Sequence, residues 1–350
     1  MSQTFRVGLT RDFLRPDGTL SFGDIGLSLL EQAQGVEWEF LAETARELRP
    51  DQVRDYDALL VLGARVTAAT VEGADRLTVV ARFGVGYDSV NVEACTRNGV
   101  LLIITPDGVR RPVATAVMTF ILALSHKVLI KDRLTRTGRW AEKSDYMGMG
   151  LTGRVLGVIG LGNIGREIFA LARPFGMRHM ACDPYVTPEE ATAVGVELVD
   201  LETLLHTADF VCICCTLTPE TRHMINAERL ALMKETAYLI NVARGPIVDQ
   251  QALTVALRER RLHGAGLDVF EQEPADPNDP ILTLDNVIVT PHAICWTDEC
   301  FLGIGRSACQ GILDVAAGRV PRNVVNRDVL DHPRLQEKLR YYGARGEAAR

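Results

Sequence analysis

The sequence predicts an α/β protein, with helices covering parallel sheets and the chain divided into two domains. Three observations predict it. A chain of 350 residues exceeds what one hydrophobic core usually serves. Short apolar runs alternate with longer helix-like segments almost from end to end. A composition of 47% hydrophobic and 24% charged residues is that of an ordinary globular chain, too apolar for disorder. No fixed-period repeat or low-complexity block interrupts the pattern.

In order along the chain, FRVGLT (5–10), ALLVLG (58–63), LTVVARFG (77–84) and GVLLII (99–104) read as strands, with helices at 25–34 and 91–97 between them. The segment TPDGVRRP (105–112) then brings Pro, Gly and charge together. It leads into an apolar helix over 113–130 whose first helical position is Pro112. The most apolar stretch of that helix, 116–124, is broken by Ser125, His126 and Lys127, so it reads as a buried helix and not as a membrane span. A second strand series begins at Arg154: RVLGVIG, MRHMACD, DFVCICC, AYLINVARG, GAGLDVF and NVIVTPH. A helix over about 298–318 follows, and a polar tail from about Arg340 ends the chain.

Several classes are excluded. A net charge of −7 and a pI near 5.6 do not supply the clustered cation that nucleic-acid binding needs. The first residues, MSQTFRVGLT, lack the apolar core of a secretory signal. Among the eight cysteines only Cys212 and Cys215 stand at C-x-x-C spacing, inside an apolar run that reads as a buried strand, so all eight read as reduced thiols and the expected location is the cytoplasm. No histidine pair at zinc spacing accompanies the cysteines, and no metal is expected.

Gly160-Leu161-Gly162-Asn163-Ile164-Gly165 follows the strand VLGVI and opens a helix. That context separates a Rossmann dinucleotide fingerprint from a chance cluster of glycines. Gly160 permits the tight turn, Gly162 the approach of backbone to pyrophosphate, and Gly165 the close packing of helix on strand. Eighteen residues after Gly165, Asp183 ends the next strand, where a carboxylate accepts from both ribose hydroxyls and repels a 2′-phosphate. NAD is therefore expected over NADP.

A dinucleotide fold does not name a reaction, so the chemistry must come from the site. Hydride transfer to a ketone needs a cation on carboxylate and carbonyl, an acid for the new alkoxide, and a partner for that acid. Arg supplies a bidentate fork. His supplies the proton, and a carboxylate beside it favours the imidazolium form. Arg244, Glu273 and His292 each lie just past a strand of the second series, where parallel strands present their carboxyl ends to the cofactor crevice.

In ARFGVGYDSVN (81–91), GVIGLGNIG and Asp183, LTPETRHMIN, INVARGPIVD, GAGLDVFEQEP and VTPHA, the chain resembles the D-isomer-specific 2-hydroxyacid dehydrogenase family across nearly its whole length. The resemblance implies two Rossmann-like domains, with an NAD-binding domain (110–295) inserted into a flavodoxin-like substrate domain (1–109 and 296–350). It implies that Arg244 binds substrate, that Glu273 pairs with the proton carrier His292, and that Gly84, Val85 and Gly86 cradle the substrate carboxylate through backbone N–H groups. Val242, Ala243, Asp268 and the Cys215 backbone would border the cofactor. A homodimer joined through the cofactor domains would employ the apolar helix beginning at Val113.

Departures from the family pattern bear on the substrate. Ile104 and Val109 replace asparagines, Thr115 replaces a glutamate, and Cys214-Cys215-Thr216 lacks the usual His and Pro. Arg110 and Arg111 precede Pro112, and cations at a helix N-terminus call for an anion, either a second acidic group on the substrate or the cofactor pyrophosphate. Solvated arginines at a hinge are the plainer account. Trp296 walls the substrate pocket or packs between domains. Glu273 argues against formate, because formate-oxidising relatives usually carry glutamine there. Phosphite as the donor and a non-catalytic, NAD-sensing corepressor both remain compatible with the three residues.

Overall fold

The computed structural model describes residues 4–348, and these hold twelve strands in two all-parallel sheets. β1 (Phe5–Leu9), β2 (Val36–Phe40), β3 (Ala58–Val61), β4 (Val79–Arg82) and β5 (Leu101–Ile103) form a five-stranded sheet in the order β2-β1-β3-β4-β5. β6 (Val155–Ile159), β7 (Arg178–Cys182), β8 (Glu197–Leu198), β9 (Phe210–Ile213), β10 (Tyr238–Asn241), β11 (Gly264–Leu267) and β12 (Val287–Val289) form a seven-stranded sheet in the order β12-β11-β10-β9-β6-β7-β8. The first is the flavodoxin-like order. The second is the Rossmann order with one strand added, and its switch point lies between β6 and β9. The two-sheet α/β reading thus holds. The chain divides into two compact units, residues up to 109 with those from 296 onward, and residues 110–295.

Strands such as β3 and β6 are buried along their whole length, as parallel strands are when helices cover both faces. In the second unit, alternate residues part to two cores. Leu156, Val158, Tyr238 and Ile240 meet Phe120 and Phe169 on one face. Val155, Ile159 and Leu239 meet Leu204, Leu253 and Leu257 on the other. Gly266 lets Phe120 lie against β11, since a Cβ there would fall 2.7 Å from the ring.

Several elements differ from the sequence reading. The helix expected over 25–34 is only Ser28–Glu31, and β2 follows it. β2 is an edge strand with half-exposed Val36, Trp38 and Phe40 alternating with exposed glutamates, and that alternation is its signature. The helix expected over 113–130 runs instead from Pro106 to Ser125, and Lys127, at φ 55, separates it from a second helix, Val128–Arg136. Pro106, not Pro112, starts it; Pro112 sits inside and forgoes one helical hydrogen bond. At 20 residues and mean hydropathy 1.2 this helix is long and apolar enough to cross a membrane, but 61% of that stretch is buried inside the protein. Its Ala114, Val117, Phe120, Ile121 and Leu124 fill the core of the second unit, so the apolar face expected to join two copies is spent internally.

The expected polar tail is a helix, Pro333–Ala348, with Leu335, Leu339 and Tyr342 buried at helical spacing. Tyr342 donates to Asp57 Oδ1 at 2.8 Å, and Arg76 pairs with Asp57 Oδ2 at 2.6 Å. The end of the chain is thereby fastened to the first sheet.

Candidate active site

The glycine loop behaves as sterics demand. Gly160 has φ 101, and a Cβ on it would lie 2.8 Å from Cys215 N. A Cβ on Gly165 would lie 2.3 Å from Gly160 O. Gly162, the N-cap of helix Asn163–Ala172, is different: a Cβ there meets nothing within 4 Å. Its surroundings are the open space at a helix N-terminus, with Asn163 and Ile164 as the first helical residues. Two glycines required by packing and one facing open space fit a dinucleotide pyrophosphate. Asp183, one residue past β7, accepts from Leu161 N at 2.8 Å and Tyr185 N at 2.9 Å, which fixes its carboxylate beside the loop. Burial pushes the Cys215 thiol up to about 11, so it is a protonated packing group at neutral pH.

The second group of residues gathers at the carboxyl ends of β10, β11 and β12. Asn241, buried at the end of β10, shapes the turn that carries Arg244: its Oδ1 accepts from Ala243 N and its Nδ2 donates to Arg244 O, both at 3.0 Å. Val242 lies between them, and Arg244 Nη1 donates to Ala243 O at 2.7 Å. Gly245 permits this turn to rest on the next loop, since a Cβ would fall 1.9 Å from Phe270 C.

His292 follows β12 with φ 54, a left-handed conformation that costs a non-glycine residue about 1 kcal/mol or more unless its surroundings hold it. Asp268 holds it. Buried at the end of β11, its Oδ1 accepts from Thr290 Oγ1 at 2.6 Å, Ala293 N at 2.9 Å and Ile294 N at 3.1 Å, on both sides of His292. His292 Nδ1 meets Glu273 Oε2 at 2.8 Å, and Glu273 Oε1 accepts from Phe270 N at 3.1 Å. Burial pushes the Glu273 carboxyl up. The hydrogen bond and charge of His292, the Phe270 N–H and the charge of Arg244 outweigh it and hold the group below the ordinary glutamate value. Glu273 is therefore an anion at neutral pH.

Other expectations are corrected. Gly84, two residues past β4, has φ 128, and its N–H donates to Thr105 Oγ1 at 2.8 Å. That N–H is thus engaged within the first unit. Arg82 lies over this turn, with Nη1 2.1 Å from where a Gly84 Cβ would stand, and no sequence motif had singled it out. Arg110 and Arg111 are not at a helix N-terminus, so the argument for a compensating anion loses its premise. They lie within the helix that starts at Pro106, and Glu167 faces both, at 2.7 Å from Arg111 and 3.5 Å from Arg110. Trp296 packs edge-on against Phe22 and Phe301, 5.2 and 5.3 Å between centroids, and is half exposed.

A Rossmann sheet with a glycine cradle at its switch point defines a dinucleotide-binding class. The comparisons with known proteins narrow it. Residues 118–293 match the model of the D-isomer specific 2-hydroxyacid dehydrogenase, NAD binding domain. D-3-phosphoglycerate dehydrogenase of Methanocaldococcus jannaschii is 39% identical over 95% of this chain, which spans 62% of that relative's length. Glyoxylate reductase of Thermococcus onnurineus is 38% identical over 87% of this chain and 94% of its own. Among solved structures, the TT0316 protein from Thermus thermophilus superposes with a TM-score of 0.80 at 31% identity, over 92% of this chain and 100% of that one. The chain belongs to the D-isomer specific 2-hydroxyacid dehydrogenase family. With membership comes the coarse activity, nicotinamide-dependent oxidoreduction of 2-hydroxy and 2-oxo acids.

Proposed function

We propose that the protein interconverts a small D-2-hydroxy acid and its 2-oxo acid with NAD. In this reading His292 moves the proton at the substrate oxygen, Glu273 orients His292, and Arg244 holds the carboxylate and carbonyl. The observation that carries it is the 2.8 Å bond between His292 Nδ1 and a Glu273 carboxylate that stays ionised. With Nδ1 engaged, Nε2 is the ring nitrogen left to protonate a forming alkoxide or accept from a hydroxyl. When bound, the nicotinamide supplies or accepts the hydride. Arg244, beside the pair, offers a planar fork for a carboxylate and a positive charge for the polarised carbonyl. The fixed Asp183 carboxylate suits ribose hydroxyls and repels a 2′-phosphate, which supports NAD over NADP.

The test is a screen of cofactor oxidation against glyoxylate, hydroxypyruvate, phenylpyruvate, and branched and dicarboxylic 2-oxo acids. At least one acid turns over, with NADH preferred to NADPH by about tenfold or more, equivalent to about 1.4 kcal/mol. Cofactor binding without turnover across the panel would instead support a non-catalytic, NAD-sensing protein.

A homodimer belongs to the same proposal. Val128, Leu129, Trp140 and Met147, between 48% and 76% exposed, crowd one stretch of the second unit, and a second copy is the partner we infer for them. Sedimentation at micromolar concentration gives a species of twice the 38.5 kDa chain; a monomer there contradicts it.

A further inference from the structure

A second histidine–carboxylate pair, His223 with Glu271, lies in the second unit apart from His292 and Glu273. His223 has φ 50, the left-handed region again, so its surroundings hold it in place. Two sets of contacts do so. Its backbone N–H donates to Pro246 O at 2.8 Å, and beyond it Ile225 N donates to Ile247 O at 3.1 Å and Asp249 N to Ile225 O at 3.0 Å. Residues 223–225 thus run as a short ladder along the segment that follows Arg244. The His223 ring meanwhile bonds through Nε2 to Glu271 Oε1.

Glu271 belongs to the other loop. Its N–H donates to Gln250 Oε1 at 3.0 Å, and two residues on is Glu273, bonded to Phe270 N and His292. Where Gly245 meets Phe270 and Glu271, the two loops touch backbone to backbone. His223 grips both: the Arg244 turn through its backbone and the Glu273 loop through its ring.

We propose that His223 and Glu271 are positioning residues that set the Arg244 turn and the Glu273 loop in register. This rests on the reading of Arg244, Glu273 and His292 given above. Neither residue touches His292, so neither moves the proton. Their effect is on alignment, to which rate is steep: a displacement of about 1 Å can cost about a hundredfold.

The test is a double-mutant cycle on the full-length protein with the best 2-oxo acid from the screen. His223→Ala and Glu271→Ala each lower kcat by about tenfold, within that alignment range. NADH affinity, read by cofactor fluorescence, does not change. The double variant is no worse than either single one, because one interaction is lost only once. Glu271→Gln, which keeps an acceptor for His223, recovers most of kcat. Unchanged kcat in His223→Ala, or losses that multiply in the double variant, would overturn the proposal. Should His223→Ala fail to fold, His223→Gln, with an amide donor in place of Nε2, takes its corner of the cycle. His292→Asn is assayed alongside. Turnover there removes the underlying reading, whereas an inactive His292→Asn with a fully active His223→Ala removes only this one.

Discussion

His292→Asn binds NADH as tightly as the parent protein and turns over at least about a thousandfold more slowly. General acid–base groups commonly contribute about 10²–10⁴-fold, and the asparagine amide cannot carry the proton. Asn is the informative replacement for a structural reason. Position 292 has φ 54, and asparagine tolerates the left-handed region better than most residues. The Asp268 clamp on Thr290, Ala293 and Ile294 does not involve the side chain at 292. The loop therefore keeps its course while the acid is removed. The glycine cradle proposed for the cofactor pyrophosphate lies just past β6 and is untouched. A fluorescence titration with NADH beside steady-state kinetics separates the two effects. Loss of NADH binding in parallel with turnover would mean that position 292 serves the fold, and normal turnover would end its assignment as acid.

Arg244→Lys keeps the charge and loses the fork. We expect kcat/KM to fall by about 10²–10³-fold, about 3–4 kcal/mol, within the range for breaking one partner of a desolvated charge pair. Lysine is a point charge on a flexible stem and cannot hold carboxylate and carbonyl oxygens in one plane. The turn that carries the residue survives, because Asn241 bonds to the backbone of Ala243 and Arg244, not to the guanidinium. The loss is specific to substrates with a carboxylate. On a simple ketone or aldehyde lacking that group, parent and variant reduce at similarly poor rates. Equal losses on both substrate types would show that Arg244 organises the site and does not bind the acid.

Much of the fold was legible because its signals are local. The strand, glycine turn and helix at 155–172 form one contiguous unit whose spacing is dictated by backbone sterics. Parallel strands end on one edge, so residues just past β10 and β12 were readable as neighbours without any contact being known. What escaped depends on partners far along the chain. Gly84 N–H is taken by Thr105, 21 residues away, and Asp268 clamps the His292 loop over 22 to 26 residues. The pairing of His223 with Glu271 spans 48. Arg110 and Arg111 were misread because Pro106 and Pro112 are equally good helix starts by local chemistry. Packing chose the first: Gly108 lies against Gly303 and Ile304, where a Cβ would fall 2.2 Å from Ile304 N. β2 and the C-terminal helix were missed because one is a half-exposed edge and the other hides three buried residues among charges.

The proposed reaction is direct hydride transfer between nicotinamide and the C2 carbon of a 2-oxo acid, with the proton supplied separately by His292. The most direct test uses NADH deuterated at nicotinamide C4, with the best 2-oxo acid from the screen, in ordinary water. Deuterium at C2 of the product, with a D configuration there and a solvent proton on the hydroxyl, is the result expected. A product of L configuration, or one whose C2 hydrogen comes from water, would contradict the account.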